Sequence, residues 1–309
     1  MKAITYTAYG DPDVLELRDV DEPKVGPDWV KVAVRATSVN PVDWKVATGG
    51  MDAMLDAFFP VTPGWDVAGV VEEVGPAVTT LVPGDEVFGY VRKDALHGGT
   101  YAEKVAAPIR TLAKKPAGLS FAQAAAIPLA GLTAYQSLVH HLRLDTAETV
   151  LIHAASGGVG SFAVQIARAR GARVLGTSSA QNHDYLRSLG AEPFTYGEGL
   201  VDRVRAFLPE GVDAVLDLHG GDLDASPDLL SDTSFGRIAS VIDPRVKDIG
   251  GHYVYCTPDV ADLDALAELA DDGRLSVEIA ASYALADAAD AWKASHSGHT
   301  RGKIVITVG

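Results

Sequence analysis

Cysteine is almost absent: Cys256 stands alone in a chain of 309 residues. An internal disulfide and every multi-cysteine zinc site are thereby excluded, and a cytoplasmic chain is the expectation. No apolar run is long enough to cross a bilayer as a helix, so no membrane span is expected. The opening MKAITYTAYGDPDVLEL shows no charged-then-apolar signal pattern. Basic residues are scarce, 26 Lys and Arg against 41 Asp and Glu, for a formal net charge of −15. So acidic a surface repels nucleic acid and anionic lipid, and neither is expected as a partner. It leaves room for a phosphate-bearing ligand, because the N–H groups of a helix N-terminus act at contact distance.

What is present divides near residue 118. Before it, short apolar runs such as KAITYTA, WVKVAVRATSV, DVAGVVEEVG and DEVFGYV alternate with GDPD, EPKVGPD, PGWD and VPGDE. This reads as a β-rich domain, a partly open barrel or a sandwich. From 119 to about 274 the rhythm changes to strands (ETVLIHAA, ARVLGTS, VDAVLDL, RIASVID) separated by helical stretches. That alternation predicts a doubly wound parallel sheet, so the fold class is α/β. The tail from about 275 to 309 closes on the helical LADAADAWKASHS and the strand GKIVITV, and is expected to return to the first domain.

The segment HAASGGVGSFAVQ lies between the strand TVLIHAA and a helix whose apolar face is Val159, Phe162, Ala163, Ile166 and Ala167. The spacing Gly158-x-Gly160-x-x-Ala163 fits a dinucleotide fingerprint inside a βαβ unit. Gly158 would permit the sharp turn, Gly160 the approach of a pyrophosphate, and Ala163 close helix–sheet packing. Ser156, Gly157, Gly158, Val159 and Gly160 are therefore cofactor-binding candidates. After the next strand, where an Asp or Glu would hold a ribose 2′-OH, the sequence reads VLGTSSAQN. The absence of that acid favours NADP(H), with Thr177, Ser178, Ser179 and Asn182 as neutral donors for the 2′-phosphate. Asp217, closing VDAVLD, is counted with the cofactor residues.

Taken in order, SVNPVDWK, PGWDVAGVVEEVG, VPGDEVFG, GGTYAE, IPLAGLTAYQSL, AASGGVG and RGKIVI resemble the zinc-free quinone oxidoreductases. These, with the zeta-crystallin-like enone reductases, form a branch of the medium-chain dehydrogenase/reductase superfamily. The resemblance runs the length of the chain. It implies a GroES-like catalytic domain, a Rossmann domain, NADPH as hydride donor and a homodimer. It also implies reduction of quinones or of the C=C bond of α,β-unsaturated carbonyls. Zinc-dependent relatives carry a Cys and a Gly-His-Glu motif. Asn40 and Gly64-Trp65-Asp66 stand in those segments here, so no metal is expected.

Asn40 resembles the family's active-site Asn, although a turn residue before Pro41 would look the same. Asp43 and Lys45 are either polar lining of a catalytic site or a surface ion pair. Thr133 matches a position near the nicotinamide, or is a helix-interior hydroxyl bonded to the preceding turn. Tyr196 resembles the Tyr near the adenosine ribose and phosphate. Tyr101 reads as structural. His153 and His219 read as core histidines at strand ends, Cys256 as a small buried group, and His296 with His299 as a solvated helix end. An enoyl-thioester reductase and a non-catalytic NADPH sensor remain as competing readings.

Overall fold

The computed structural model describes residues 1–221, 223–298 and 300–309. Its contacts divide the chain into two units, one of Met1–Leu129, Pro258–Asp271 and Val277–Gly309, the other of Ala130–Thr257 and Asp272–Ser276. The strands, in chain order, begin with β1 (Lys2–Thr5), β2 (Glu16–Asp19), β3 (Trp29–Val39), β4 (Asp66–Val74), β5 (Glu86–Tyr90), β6 (Lys104–Pro108) and β7 (Leu112–Lys114). They continue with β8 (Thr149–Ile152), β9 (Arg173–Ser178), β10 (Glu192–Thr195), β11 (Ala214–Asp217), β12 (Ile238–Ser240) and β13 (His252–Tyr253). β14 (Ile279–Ala284) and β15 (Lys303–Thr307) close the list.

The first unit is built on β3. Its residues alternate half-buried and buried up to Val34, the period-two signature of a strand with one covered face. From Ala36 to Val39 every residue is buried, so both faces are covered there. The main sheet runs β14-β15-β3-β4-β5-β7, with β6 also paired to β3. The C-terminal strand does return to this unit: β15 lies antiparallel to β3 with Ile304 opposite Val39 and Val305 opposite Ser38. Two features extend the unit beyond the stretch that reads as β. The helix Phe121–Ala125, capped by Ser120 through Gln123, packs on β3 and β4. The helix Val260–Asp271 buries Leu263 and Leu266 and packs on β7.

The second unit holds a parallel sheet in the order β10-β9-β8-β11-β12-β13. β8 and β11 are buried at every position, as strands covered on both faces by helices must be. Successive strands leave β8 first on one side and then on the other, so the order reverses at β8. In such sheets the carboxyl ends of the strands at the reversal are where ligands bind. The long FAQAAAIPLAGLTAYQSLVHHL stretch is broken at Pro128, which opens a new helix, Pro128–Tyr135.

Candidate cofactor turn and active site

In the second unit, β8 leads through the turn into the helix Gly158–Ala169. The helix buries Gly160 to Ala167 continuously, and Gly171 follows it in the left-handed region at φ 83°. The turn itself departs from the expected glycine roles. Its left-handed residue is Ala154, at φ 50°, not Gly158. A Cβ at Gly160 would lie 2.3 Å from the Ala154 carbonyl oxygen and 2.6 Å from the Ala155 Cα. Gly160 is thus required by the protein's own backbone, because the first turn of the helix packs directly on the strand-to-helix corner. Close packing, assigned by the spacing to Ala163, begins already at Gly160.

The end of β9 is tied to this corner. Ala154 N–H donates to the Thr177 Oγ1 (3.2 Å) and Ala155 N–H to the Thr177 carbonyl (2.9 Å). The Asn182 amide donates to the Ser156 and Ser179 hydroxyls, each at 3.3 Å. Ser156, Ser179 and Asn182 therefore gather beside the helix N-terminus, while Ser178 is buried and donates to the Ser179 carbonyl. Gly157, Gly158 and Val159 are half-buried. The first N–H groups of a helix have no intrahelical acceptor, so this corner offers backbone donors and neutral side-chain donors with no carboxylate among them. That donor set fits the diphosphate of a nicotinamide dinucleotide.

The remaining cofactor candidates are placed differently. Asp217 is fully buried. Its Oδ1 accepts from His219 N (3.1 Å) and Gly220 N (2.9 Å), and its Oδ2 from Ser240 Oγ (2.8 Å). Thr133 is 5% exposed, and its carbonyl accepts from Ser137 Oγ at 2.7 Å. Tyr196 is 57% exposed just past β10. His153 is buried, but His219 is exposed and Cys256 only half-buried, contrary to the expected core positions. His296 is exposed in the last turn of its helix, with its ring 4.7 Å from Trp44. His299 lies outside the described residues.

In the first unit, Asn40 is not a turn residue. It is the N-cap of the helix Pro41–Ala47, with Pro41 at the position where proline is preorganised for a helix. It is 1% exposed, and so is Asp43. Asp43 Oδ2 accepts from the Asn40 backbone N (2.9 Å) and from the Tyr101 hydroxyl (3.1 Å). Tyr101 in turn accepts from the Trp292 indole N–H at 3.1 Å. Gly64, at φ 89°, allows the Tyr101 ring to lie where a Cβ would otherwise stand, 2.3 Å away. Lys45 is exposed, its ammonium 5.6 Å from the Trp44 ring. The helix thus turns Asp43 inward and Lys45 outward, and the two do not pair.

The Asn40 side chain belongs to a second set of contacts that sequence reasoning did not assemble. Its Nδ2 donates to Asp66 Oδ2 at 2.7 Å, and its Oδ1 accepts from the Lys303 ammonium. Lys303 also donates to the Val39 carbonyl (3.1 Å) and is 5% exposed. Asp66 accepts further from Ser38 Oγ (2.6 Å) and Leu129 N (2.8 Å). Two carboxyls and one ammonium are therefore buried together. Burial pushes the Asp43 carboxyl up to about 7, with Asp66 nearby adding to the rise. Burial also raises the Asp66 carboxyl, opposed by Lys303 and by its hydrogen-bond donors. The Lys303 ammonium is pushed down by burial and supported by both carboxylates. Tyr101 stays neutral, its hydroxyl held well above its ordinary range by burial and by Asp43. Among the described residues no group of three or more His, Cys, Asp and Glu is placed to hold a metal.

Comparison with known proteins matches both units. Residues 26–117 fit the family model described as alcohol dehydrogenase GroES-like domain, and residues 189–306 that described as zinc-binding dehydrogenase. Over 99% of its length the chain is 33% identical to a chloroplast envelope quinone oxidoreductase homolog of Arabidopsis thaliana, covering 98% of that protein. It is 40% identical to the NADPH-dependent alkenal/one oxidoreductase, chloroplastic, of the same plant, over 71% of this chain and 58% of that one. The solved quinone oxidoreductase of Coxiella burnetii superposes with a TM-score of 0.88 at 35% identity, covering 100% of this chain and 99% of the other.

Proposed function

Because this chain belongs to the zinc-free quinone and enone reductase branch of the medium-chain dehydrogenase/reductase superfamily, and is accordingly an oxidoreductase, we propose that it is an NADPH-dependent reductase of quinones or of the C=C bond of α,β-unsaturated carbonyls. The observation that carries the choice of cofactor is the neutral end of β9. Thr177, Ser179 and Asn182 stand against the Ala154–Gly160 corner, with Ser178 buried beside them and bonded to the Ser179 carbonyl, and no acid is among the four. A carboxylate there would repel a 2′-phosphate; hydroxyls and an amide accept its company. Ser156, Gly157, Gly158, Val159 and Gly160 would hold the diphosphate, with Thr133, Tyr196 and Asp217 as further cofactor residues. The cofactor, when bound, supplies the hydride.

The residues proposed for the chemical step are Asn40, Asp43 and Lys45. A metal-free route is supported by the nature of the cation beside Asp66, the ammonium of Lys303. Polarisation of a carbonyl then falls to hydrogen-bond donors. Quinone reduction leaves a stabilised hydroquinone anion that water can protonate. Enone reduction needs a proton at the α-carbon. Tyr101 does not suit that task, because its hydroxyl is committed to Asp43. The same reading makes the protein a cytoplasmic homodimer, which sedimentation analysis and cell fractionation test. No described helix is long and apolar enough to cross a membrane.

The deciding experiment follows NADPH and NADH oxidation in parallel with a planar ortho-quinone, an acyclic enone and a crotonyl thioester. NADPH-preferring turnover of the quinone or the enone is expected. Equal use of NADH refutes the cofactor assignment, and turnover of the thioester alone moves the substrate to enoyl thioesters. Tight NADPH binding without turnover of any acceptor marks a sensor.

A further inference from the structure

Asn40 is a neutral amide held between groups of opposite hydrogen-bonding character. The Lys303 ammonium can only donate, whereas Asp66 accepts at both of its oxygens, from Leu129 N at Oδ1 and from Ser38 Oγ and Asn40 Nδ2 at Oδ2. Lys303 faces Oδ1 and Asp66 Oδ2 faces Nδ2. Turning the amide over would set a donor against the ammonium and an acceptor against the accepting Asp66 oxygen, so these two partners decide the orientation. The main chain is fixed as well: Asn40 N–H is bound by Asp43 Oδ2, and Pro41 restricts the residue that precedes it. One hydrogen of Nδ2 is then left without an acceptor among the described residues, while the amide oxygen faces the ammonium.

We propose that Lys303 and Asp66 are positioning residues that orient the Asn40 amide so that it offers an N–H, and not its carbonyl, to an oxygen of the substrate. This deepens the reductase reading and rests on it. An N–H directed at a carbonyl or quinone oxygen binds more strongly as that oxygen gains negative charge on hydride transfer. A carbonyl in the same place would oppose the reaction. The arrangement favours substrates whose reacting carbon is conjugated to a C=O.

The test is a reciprocal exchange. Asn40→Asp places a second carboxylate against Asp66 and is expected to lower the melting temperature. Adding Asp66→Asn restores a complementary pair, with the new amide donating to the new carboxylate and Lys303 still donating to position 40. The double variant is expected to recover most of the lost melting temperature. Its kcat is expected to stay at least tenfold below wild type with the cofactor KM within about twofold, because the free N–H is gone. Recovery of both melting temperature and kcat overturns the proposal, since position 40 is then structural only. Failure of the second substitution to restore the melting temperature overturns the assigned pairing. If the wild-type protein oxidises no NADPH with any quinone or enone, the reductase reading fails, and the melting comparison by itself still decides the orientation.

Discussion

Lys303 donates to the Asn40 amide oxygen across 263 residues of chain. The contact follows from strand register. β15 lies antiparallel to β3 with Ile304 opposite Val39, so the next step along each strand brings Lys303 to Asn40. On the other side, β4 pairs Ala68 with Ala36, which carries Asp66 to Ser38. Three strands thus deliver one cation and one carboxylate to a single amide. A lone buried ion would be prohibitive there, and the cluster survives because each member meets partners of complementary character.

The companion carboxyl, Asp43, makes stability depend on pH. Its proton affinity rises from 3.8 unfolded to about 7 folded, through burial and the neighbouring Asp66, against the Asn40 N–H, the Tyr101 hydroxyl and the Lys303 charge. Between those values the folded state keeps a proton that the unfolded state has lost. The contribution is therefore fully present below about pH 4 and disappears as pH rises through about 7. Its size is on the order of 4 kcal/mol. Asp43→Asn removes it. The stability of the variant relative to wild type is expected to climb between pH 4 and 7 and stay level above, as read by urea unfolding across that range. Parallel curves would show that Asp43 titrates in the folded protein as it does in the unfolded chain.

Gly160 tests the reason given for the glycine-rich corner. Gly160→Ala sets a methyl 2.3 Å from the Ala154 oxygen, with Ala155 backbone immediately behind it. Backbone cannot swing aside as a side chain can, so the corner must open. A loss of about 1–3 kcal/mol is expected, together with weaker NADPH binding as the helix N-terminus shifts. Unchanged melting would mean that the helix slides away at no cost.

Ser179→Asp tests the cofactor preference. Ser179 is half-buried and shares the Asn182 amide with Ser156. A carboxylate at this point repels a 2′-phosphate and can accept from a 2′-OH. The ratio of NADPH to NADH affinity, measured by fluorescence titration, is expected to fall at least tenfold. An unaltered ratio would move the phosphate site away from the end of β9.

These expectations divide along a line that the sequence itself explains. The strands WVKVAVRATSV, TVLIHAA and GKIVITV were legible because alternation and buried apolar runs are local signals. So was the corner at Gly157 to Gly160, whose parts lie within a few residues. The left-handed position was not, because neither Gly157 nor Gly158 takes that conformation and Ala154 does. The Lys303 cluster was hidden for a different reason. Its members come from β3, β4 and β15, and only their pairing makes neighbours of them. One clue was available: a lysine opening the otherwise apolar run KIVIT.

Asp217 offers the final test, because its carboxylate is fully used by the protein. It accepts from two backbone N–H groups of the loop after β11 and from Ser240 on β12, all while buried. Asp217→Ala strands those donors. At about 1 kcal/mol for each lost bond, with a further desolvation cost for buried N–H groups, a loss of roughly 2–4 kcal/mol is expected in urea unfolding. The loop from Leu218 to Gly220 also loses what fixes its course away from β11. If that loop borders the cofactor, the Kd for NADPH rises several-fold in the variant under conditions where it remains folded. A destabilised variant with an unchanged Kd would take Asp217 off the cofactor site and leave it the purely architectural task of holding the loop to the sheet.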